Sequence, residues 1–118
     1  MKLITNILNK NIEMLTVNLL SNDTELTGDI VINSNIRIDG IVNGNIKCSG
    51  KITIGPTAII NGDIDCVDID ISGEINGNIK TENLTLFKET STFNGKINTS
   101  LLNIETGANI TMVCNKNY

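Results

Sequence analysis

The sequence predicts an all-β protein built as one triangular β-solenoid, about six coils of roughly 17 residues preceded by a short N-terminal tail. Three observations lead there: a glycine-centred repeat, period-2 alternation of apolar residues inside each repeat, and a hydrophobic complement drawn almost wholly from Ile, Leu and Val. With 118 residues, 40% hydrophobic and 3% aromatic, the chain has material for one domain with one core. A core rich in β-branched residues suits a pleated sheet.

The repeat is carried by Gly28-Asp29-Ile30, Gly44-Asn45-Ile46, Gly62-Asp63-Ile64, Gly77-Asn78-Ile79 and Gly95-Lys96-Ile97, at steps of 16, 18, 15 and 18 residues. Two residues before each glycine stands an apolar side chain, giving Leu26, Val42, Ile60, Ile75 and Phe93, and Ile110 falls where the next member belongs. A second series is an apolar pair at alternate positions: Ile36/Ile38, Ile52/Ile54, Ile69/Ile71, Leu84/Leu86 and Leu102/Ile104. The third follows the glycine at +2 and +4: Ile30/Ile32, Ile46/Cys48, Ile64/Cys66, Ile79/Thr81 and Ile97/Thr99. Each pair reads as a short strand with one buried face, so each repeat supplies three strands. Three strands separated by corners close around a triangular core, and stacking the repeats pairs each strand with its equivalents above and below.

Corners need tight or positive-φ backbone, which Gly40, Gly50, Gly55, Gly73 and Gly107 are placed to supply, with Pro56 beside Gly55. Asp29, Asn45, Asp63 and Asn78 are read as corner residues, since Asn and Asp bond nearby main chain. The GGxGxDx element of calcium-binding β-rolls is absent.

Composition sets several activities aside. A net charge of −4 offers no basic stripe for a phosphate backbone, and the scarcity of aromatics leaves no stacking surface, so no nucleic acid is expected as a partner. Histidine is absent, and with it the usual general base and metal ligand of left-handed hexapeptide-repeat acyltransferases and related carbonic anhydrases. The single arginine, Arg37, and the short connections do not make the groove of a β-helical polysaccharide lyase. The outward positions Arg37, Thr53, Asp70, Thr85 and Asn103 are not the threonine array of an ice-binding solenoid. Cys48 and Cys66 share an inward column and are expected to pack as small hydrophobes, with Cys114 at the column of Ile30 and Ile46. No catalytic residue, metal site or cofactor is predicted. The absence of a CxxC pair and of a secretory leader points to a reducing, intracellular compartment.

A uniform coil exposes apolar interior and unpaired backbone at both ends. The last coil runs through Ile104, Ala108, Ile110, Met112, Val113 and Cys114 to four tail residues, 115–118, which make a poor cap. Leu19, Leu26, Leu102, Ile104, Ile110 and Met112 are therefore the predicted polymerisation interface. In the tail, residues 1–15, Leu3, Ile4, Ile7, Leu8, Ile12 and Leu15 lie near helical spacing. That segment is either a cap over the first coil or an amphipathic anchor that binds a membrane surface through Leu3, Ile4, Ile7 and Leu8.

From about Leu19 to Cys114 the chain resembles the bactofilins, a family of polymer-forming bacterial cytoskeletal proteins. The resemblance rests on Thr24-Glu25-Leu26-Thr27-Gly28-Asp29-Ile30, on Asn35-Ile36-Arg37-Ile38-Asp39-Gly40-Ile41-Val42-Asn43-Gly44-Asn45-Ile46, and on the elements that continue it, Gly50-Lys51-Ile52-Thr53-Ile54-Gly55 and Ala58-Ile59-Ile60-Asn61-Gly62-Asp63-Ile64. It implies a right-handed helix over residues 16–114, filaments formed without nucleotide by contact of like ends, and a membrane-targeting N-terminal tail. It also implies a polymerisation element, GAxFxG, which Gly107-Ala108-Asn109-Ile110-Thr111-Met112 matches with Ile110 for the Phe and Met112 for the second Gly.

The function expected is a bacterial cytoskeletal scaffold, a homopolymer at the cytoplasmic face of the inner membrane that serves cell shape or the localisation of other proteins, with cell-wall or localisation proteins as partners. The alternative is a solenoid adaptor that binds one partner protein as a small closed oligomer.

Overall fold

A computed structural model describes residues 3–14 and 19–116, with side chains from 20 to 111. Every regular element among them is a strand. β1 (Leu3–Met14) precedes the coils. The first coil holds β2 (Leu19–Leu20) and β3 (Thr24–Ile32). The second holds β4 (Ile36–Ile38), β5 (Ile41–Asn43) and β6 (Ile46–Cys48), and the third β7 (Lys51–Ile54), β8 (Ile59–Asn61) and β9 (Ile64–Cys66). The fourth holds β10 (Asp68–Ile71), β11 (Glu74–Asn76) and β12 (Ile79–Thr81), the fifth β13 (Leu84–Phe87) and β14 (Thr92–Thr99), and the sixth β15 (Leu101–Ile104) and β16 (Asn109–Lys116).

All pairings are parallel and run between successive coils, so the strands stack in three columns of a β-solenoid. The first column is a six-stranded sheet, β2-β4-β7-β10-β13-β15, whose members span five turns. The second and third columns form one ten-stranded sheet folded at the repeat glycine. In β3, β14 and β16 the strand runs through that corner, whereas in the middle coils it breaks there.

The predicted inward columns are present. Leu26, Val42, Ile60, Ile75, Phe93 and Ile110 occupy one register, and Ile30, Ile46, Ile64, Ile79, Ile97 and Cys114 another. Together with the first column they make one continuous core of buried side chains. Every interior rung contributes apolar side chains from all three columns, and burial of each stabilises by about 1.5–3 kcal/mol.

One member of the first column departs from the predicted phase. Thr85 and Phe87, not Leu84 and Leu86, stand over Ile69 and Ile71 and are fully buried. The reason is complementary. Phe87 packs against Phe93 with ring centroids 5.2 Å apart. The Thr85 hydroxyl lies 2.9 Å from that of Thr81 and 3.2 Å from that of Thr99, and Thr81 also bonds Thr99 directly. Two large rings and the hydroxyls of Thr85 and Thr99, satisfied together with that of Thr81 from the coil before, fill the space that isoleucines fill elsewhere. A register shift by one residue turns every side chain over, so Leu84 and Leu86 lie on the outer surface.

Most of the unevenness in repeat length arises at the corner between the first and second columns; the difference between the steps of 16 and 15 arises where the third column leads into the first, between Ile32 and Ile36 in one coil and between Cys66 and Ile69 in the other. At the former corner the 18-residue steps carry a β-turn, closed by Ala58 N–H to Gly55 O at 3.0 Å and by Ser91 N–H to Lys88 O at 3.0 Å. The shorter steps replace the turn with Gly40 or Gly73, which tuck beneath it. A Cβ on Gly73 would lie 2.4 Å from Gly55 O and 2.6 Å from Ala58 O, so only glycine fits. Of the five glycines predicted to supply corners, Gly107 alone has a left-handed φ, +104°; Gly40 and Gly73 are required by close approach of backbone carbonyls, whereas at Gly50 and Gly55 an added Cβ would first meet the side chains of Asn35 and Asp39.

The N-terminal segment is also corrected. Residues 3–14 form no helix: they run as β1, parallel to β3, pairing Leu3 with Thr24 through Asn6 with Thr27, and then Asn11 with Asp29 through Met14 with Ile32. Leu15 lies outside the described residues.

Candidate functional site

The corner between the second and third columns shows what a complete interior rung requires. The triplets Asn43-Gly44-Asn45, Asn61-Gly62-Asp63 and Asn76-Gly77-Asn78 stack on one another, followed by Asn94-Gly95-Lys96. Where a Cβ on Gly62 would sit, Gly44 O lies 2.0 Å away, and the same holds for Gly77 over Gly62. Only a hydrogen fits between coils. On one side of the glycines the asparagine amides form a ladder, Asn61 Nδ2 to Asn43 Oδ1 at 2.9 Å and Asn76 Nδ2 to Asn61 Oδ1 at 3.0 Å, extended by Asn94. On the other side each side-chain oxygen accepts the N–H of the next coil: Asn45 N–H to Asp29, Asp63 N–H to Asn45 and Asn78 N–H to Asp63, each at 2.9 Å, and Lys96 N–H to Asn78 at 3.1 Å. These bonds satisfy donors that the bent backbone cannot pair for itself.

Both ladders end before the last coil. In register with Asn94, Gly95 and Lys96 are Thr111, Met112 and Val113, which offer neither the second amide of a ladder nor a glycine corner. The last coil is joined to the stack by backbone pairing and by Glu105, whose Oε1 accepts the Glu89 N–H at 3.1 Å.

Its apolar side is open. Leu102 and Ile104 stand in register with the fully buried Thr85 and Phe87, and Ile110 with Phe93. Leu102 and Ile110 are partly buried against the core, and Ile104 is 43% exposed. Among the described residues no strand pairs with the outer edges of β15 and β16, so backbone donors and acceptors and the end of the core are presented together.

The N-terminal end is different. β1 lies along β3, and Leu26, a terminal-coil residue, is only 4% exposed. Among the described residues the open edges there are the outer side of β1 and β2, where Leu19 takes the register position of Arg37 and Leu20, missed in the sequence, takes that of Ile38 and is buried. Among the proposed membrane-binding residues, Leu3 and Ile4 lie opposite Thr24 and Glu25, and Ile7 and Leu8 fall in the break of register between Asn6 and Asn11, opposite the Gly28 corner.

The predicted interface residues thus divide: Leu102, Ile104, Ile110 and the position of Met112 gather at the C-terminal end, and Leu19 and Leu26 at the other. Leu101, 57% exposed beside them, belongs to the same end and went unnoticed because it alternates with the inward positions.

The remaining chemistry is occupied structurally. The Cys48 thiol is 3.1 Å from Ser34 O, and burial pushes the pKa of both Cys48 and Cys66 up, away from a reactive thiolate. A shallow groove of about 580 Å³ on the third column holds Lys47, Lys80 and Lys96 with Asp29 and Asp63, whose Oδ1 atoms already belong to the ladder. Among the described residues no cluster of Cys, Asp or Glu could hold a metal, and no helix is long and apolar enough to cross a membrane.

Residues 18–115 match the family model of the bactofilins, described as polymer-forming cytoskeletal. No curated protein and no solved structure matches the chain.

Proposed function

The chain belongs to the bactofilin family, and we propose from that premise that it forms filaments end to end, without nucleotide, through the open face of its last coil. The carrying observation is the pair of free edges at β15 and β16 with Ile104, Leu102 and Ile110 over the end of the core. A second copy placed there continues the hydrogen-bonded columns and covers the exposed apolar side chains, gaining roughly 25 cal/mol for each Å² removed from water. Like ends meeting about a two-fold axis make a closed, self-complementary contact, so a filament also needs the N-terminal end, where β2 leaves a free edge, to meet its like. The filaments serve as a scaffold for cell shape or for localising other proteins at the inner face of the membrane. Attachment to the membrane is through Leu3, Ile4, Ile7 and Leu8 of β1.

Electron microscopy of the purified protein tests polymerisation. Filaments are expected for the wild type, and Ile104→Arg or Ile110→Arg is expected to abolish them with the fold intact, since a charge would be buried without a partner at the junction. A monodisperse monomer, or long filaments in both variants, contradicts the proposal. For the membrane, liposome flotation of full-length protein against protein lacking residues 1–15 is the measurement, and equal binding rules the segment out as an anchor.

A further inference from the structure

The outer surface of the six-stranded sheet changes character along the stack. Its early coils carry charges, most of them neutralised within the face: Arg37 Nε is 2.9 Å from Asp39 Oδ2, and Lys51 Nζ is 3.0 Å from Asp70 Oδ2, while Asp68 accepts hydrogen bonds from Asn83 and the Leu84 N–H. Its last two coils carry Leu84, Leu86 and Leu101. Leu84 and Leu101 are partners across the β13–β15 pair, and Leu86 follows Asp70 in register. These leucines are held outward by the inward lock of Thr85 and Phe87, so the fold places hydroxyls in its interior and leucines on its surface at the same coil. The outer face of such a sheet is ordinarily polar.

We propose that this leucine patch is a lateral contact, and that its occupant is the same face of a subunit in a neighbouring filament of this protein. The contact rests on the end-to-end filament being formed. Three features select a second copy. The charges of the face are mostly paired internally, leaving Asp68, which accepts bonds from Asn83 Nδ2 and the Leu84 N–H, as the unbalanced one, so an identical face meets limited repulsion, although the chain as a whole carries −4. The patch is small: three leucines expose a few hundred Å² at most, against about 800 Å² per partner in a stable complex. It is therefore too weak to pair free subunits tightly, yet a filament repeats it at every subunit and the contacts add. Finally, the patch is continuous with the open edge of β15, where Leu101 is 57% exposed, so the filament junction and the lateral contact adjoin. An anionic lipid surface is a poorer occupant, because the overall negative charge is repelled by it.

The test is electron microscopy of wild-type filaments beside Leu84→Glu, which lies one coil in from the junction, with Leu86→Gln as the milder variant should Leu84→Glu fail to fold. Paired or bundled wild-type filaments are expected, and single protofilaments of similar length in the variant, with the protein concentration needed for bundling raised about tenfold or more. Unchanged bundling in a folded variant overturns the proposal, as do wild-type filaments that never associate. Loss of liposome binding with bundling intact assigns the face to lipid and overturns it too. If the wild type forms no filaments, the end-to-end reading fails separately. Sedimentation equilibrium then decides: a weak dimer lost in Leu84→Glu supports the lateral contact, and monomers in both exclude it.

Discussion

At Gly44, Gly62 and Gly77 the chain turns through an Asn-Gly-Asx triplet that is bonded to the coil on either side, whereas the last coil turns through Thr111-Met112-Val113 and is bonded on one side only. The interior coils are closed to anything but another identical rung. Their corner has room only for glycine, their amides bond the coils on both sides, and their core, mostly isoleucine, is at nearly zero exposure. The terminal coil keeps the strand geometry and drops the devices that fix a neighbour in place. A solenoid that repeated the triplet once more would present a ladder with no natural stop, and relaxing the corner makes the end a surface with its own specificity.

Substitution can break this contrast. The largest effect is expected at the corner glycine: Gly62→Ala drives a Cβ against Gly44 O at a positive φ of +156° and should cost about 4 kcal/mol or more, enough to unfold the chain early in a urea titration. At Gly107 the nearest atom to an added Cβ is 3.3 Å away, so Gly107→Ala should cost only the left-handed backbone, about 1–2 kcal/mol. Equal losses at the two sites would remove the distinction. Next, Phe93→Ala empties a fully buried position and should lower stability by about 3–5 kcal/mol, whereas Ile104→Ala should lower that of the single chain by under about 1 kcal/mol while raising the concentration at which filaments appear. The amide ladder is smaller: Asn61→Ala leaves Asn43 Oδ1 and Asn76 Nδ2 each short of a bond and should cost about 1 kcal/mol, against nearly nothing for the exposed Asn103→Ala, both read from thermal melts.

The smallest effect concerns pH. Burial raises the Cys66 pKa above its ordinary 9.0, so the folded state holds the proton that the unfolded chain releases. The resulting stability is fully present below that ordinary value and is lost as pH rises through it and beyond. Urea midpoints between neutral and alkaline pH should fall in the wild type and fall less steeply in Cys66→Ala. Parallel slopes would show that the thiol does not stay protonated in the fold.

Much of this architecture is written in local pattern. The glycine steps and the apolar residues around them locate two of the three inward columns without error, because in those columns every coil keeps the same offset from its glycine. The first column has no such anchor. Hydrophobicity alone selects Leu84 and Leu86, while distance from the following glycine selects Thr85 and Phe87, which precede Gly95 at the offsets that Ile52 and Ile54 keep from Gly62. The corner Asn and Asp residues were legible as turn formers, but their bonds join residues 15 to 18 apart and depend on the stack being built first. The N-terminal strand was hidden for a similar reason: its apolar spacing satisfies a helix, and what makes it a strand is the free edge of β3. At the open end, following the columns finds Ile104 and Ile110, whereas Leu101 emerges only once the outer face is seen.

The central claim is that the edge of the last coil is where another subunit binds. Amide hydrogen exchange measured on assembled wild type and on monomeric Ile104→Arg reads that edge directly. Slowed exchange on assembly, concentrated in Leu101–Ile104 and Asn109–Lys116 with the interior coils unchanged, is the predicted result. Exchange in those two strands that stays equally fast in the polymer, with protection appearing elsewhere, would contradict it.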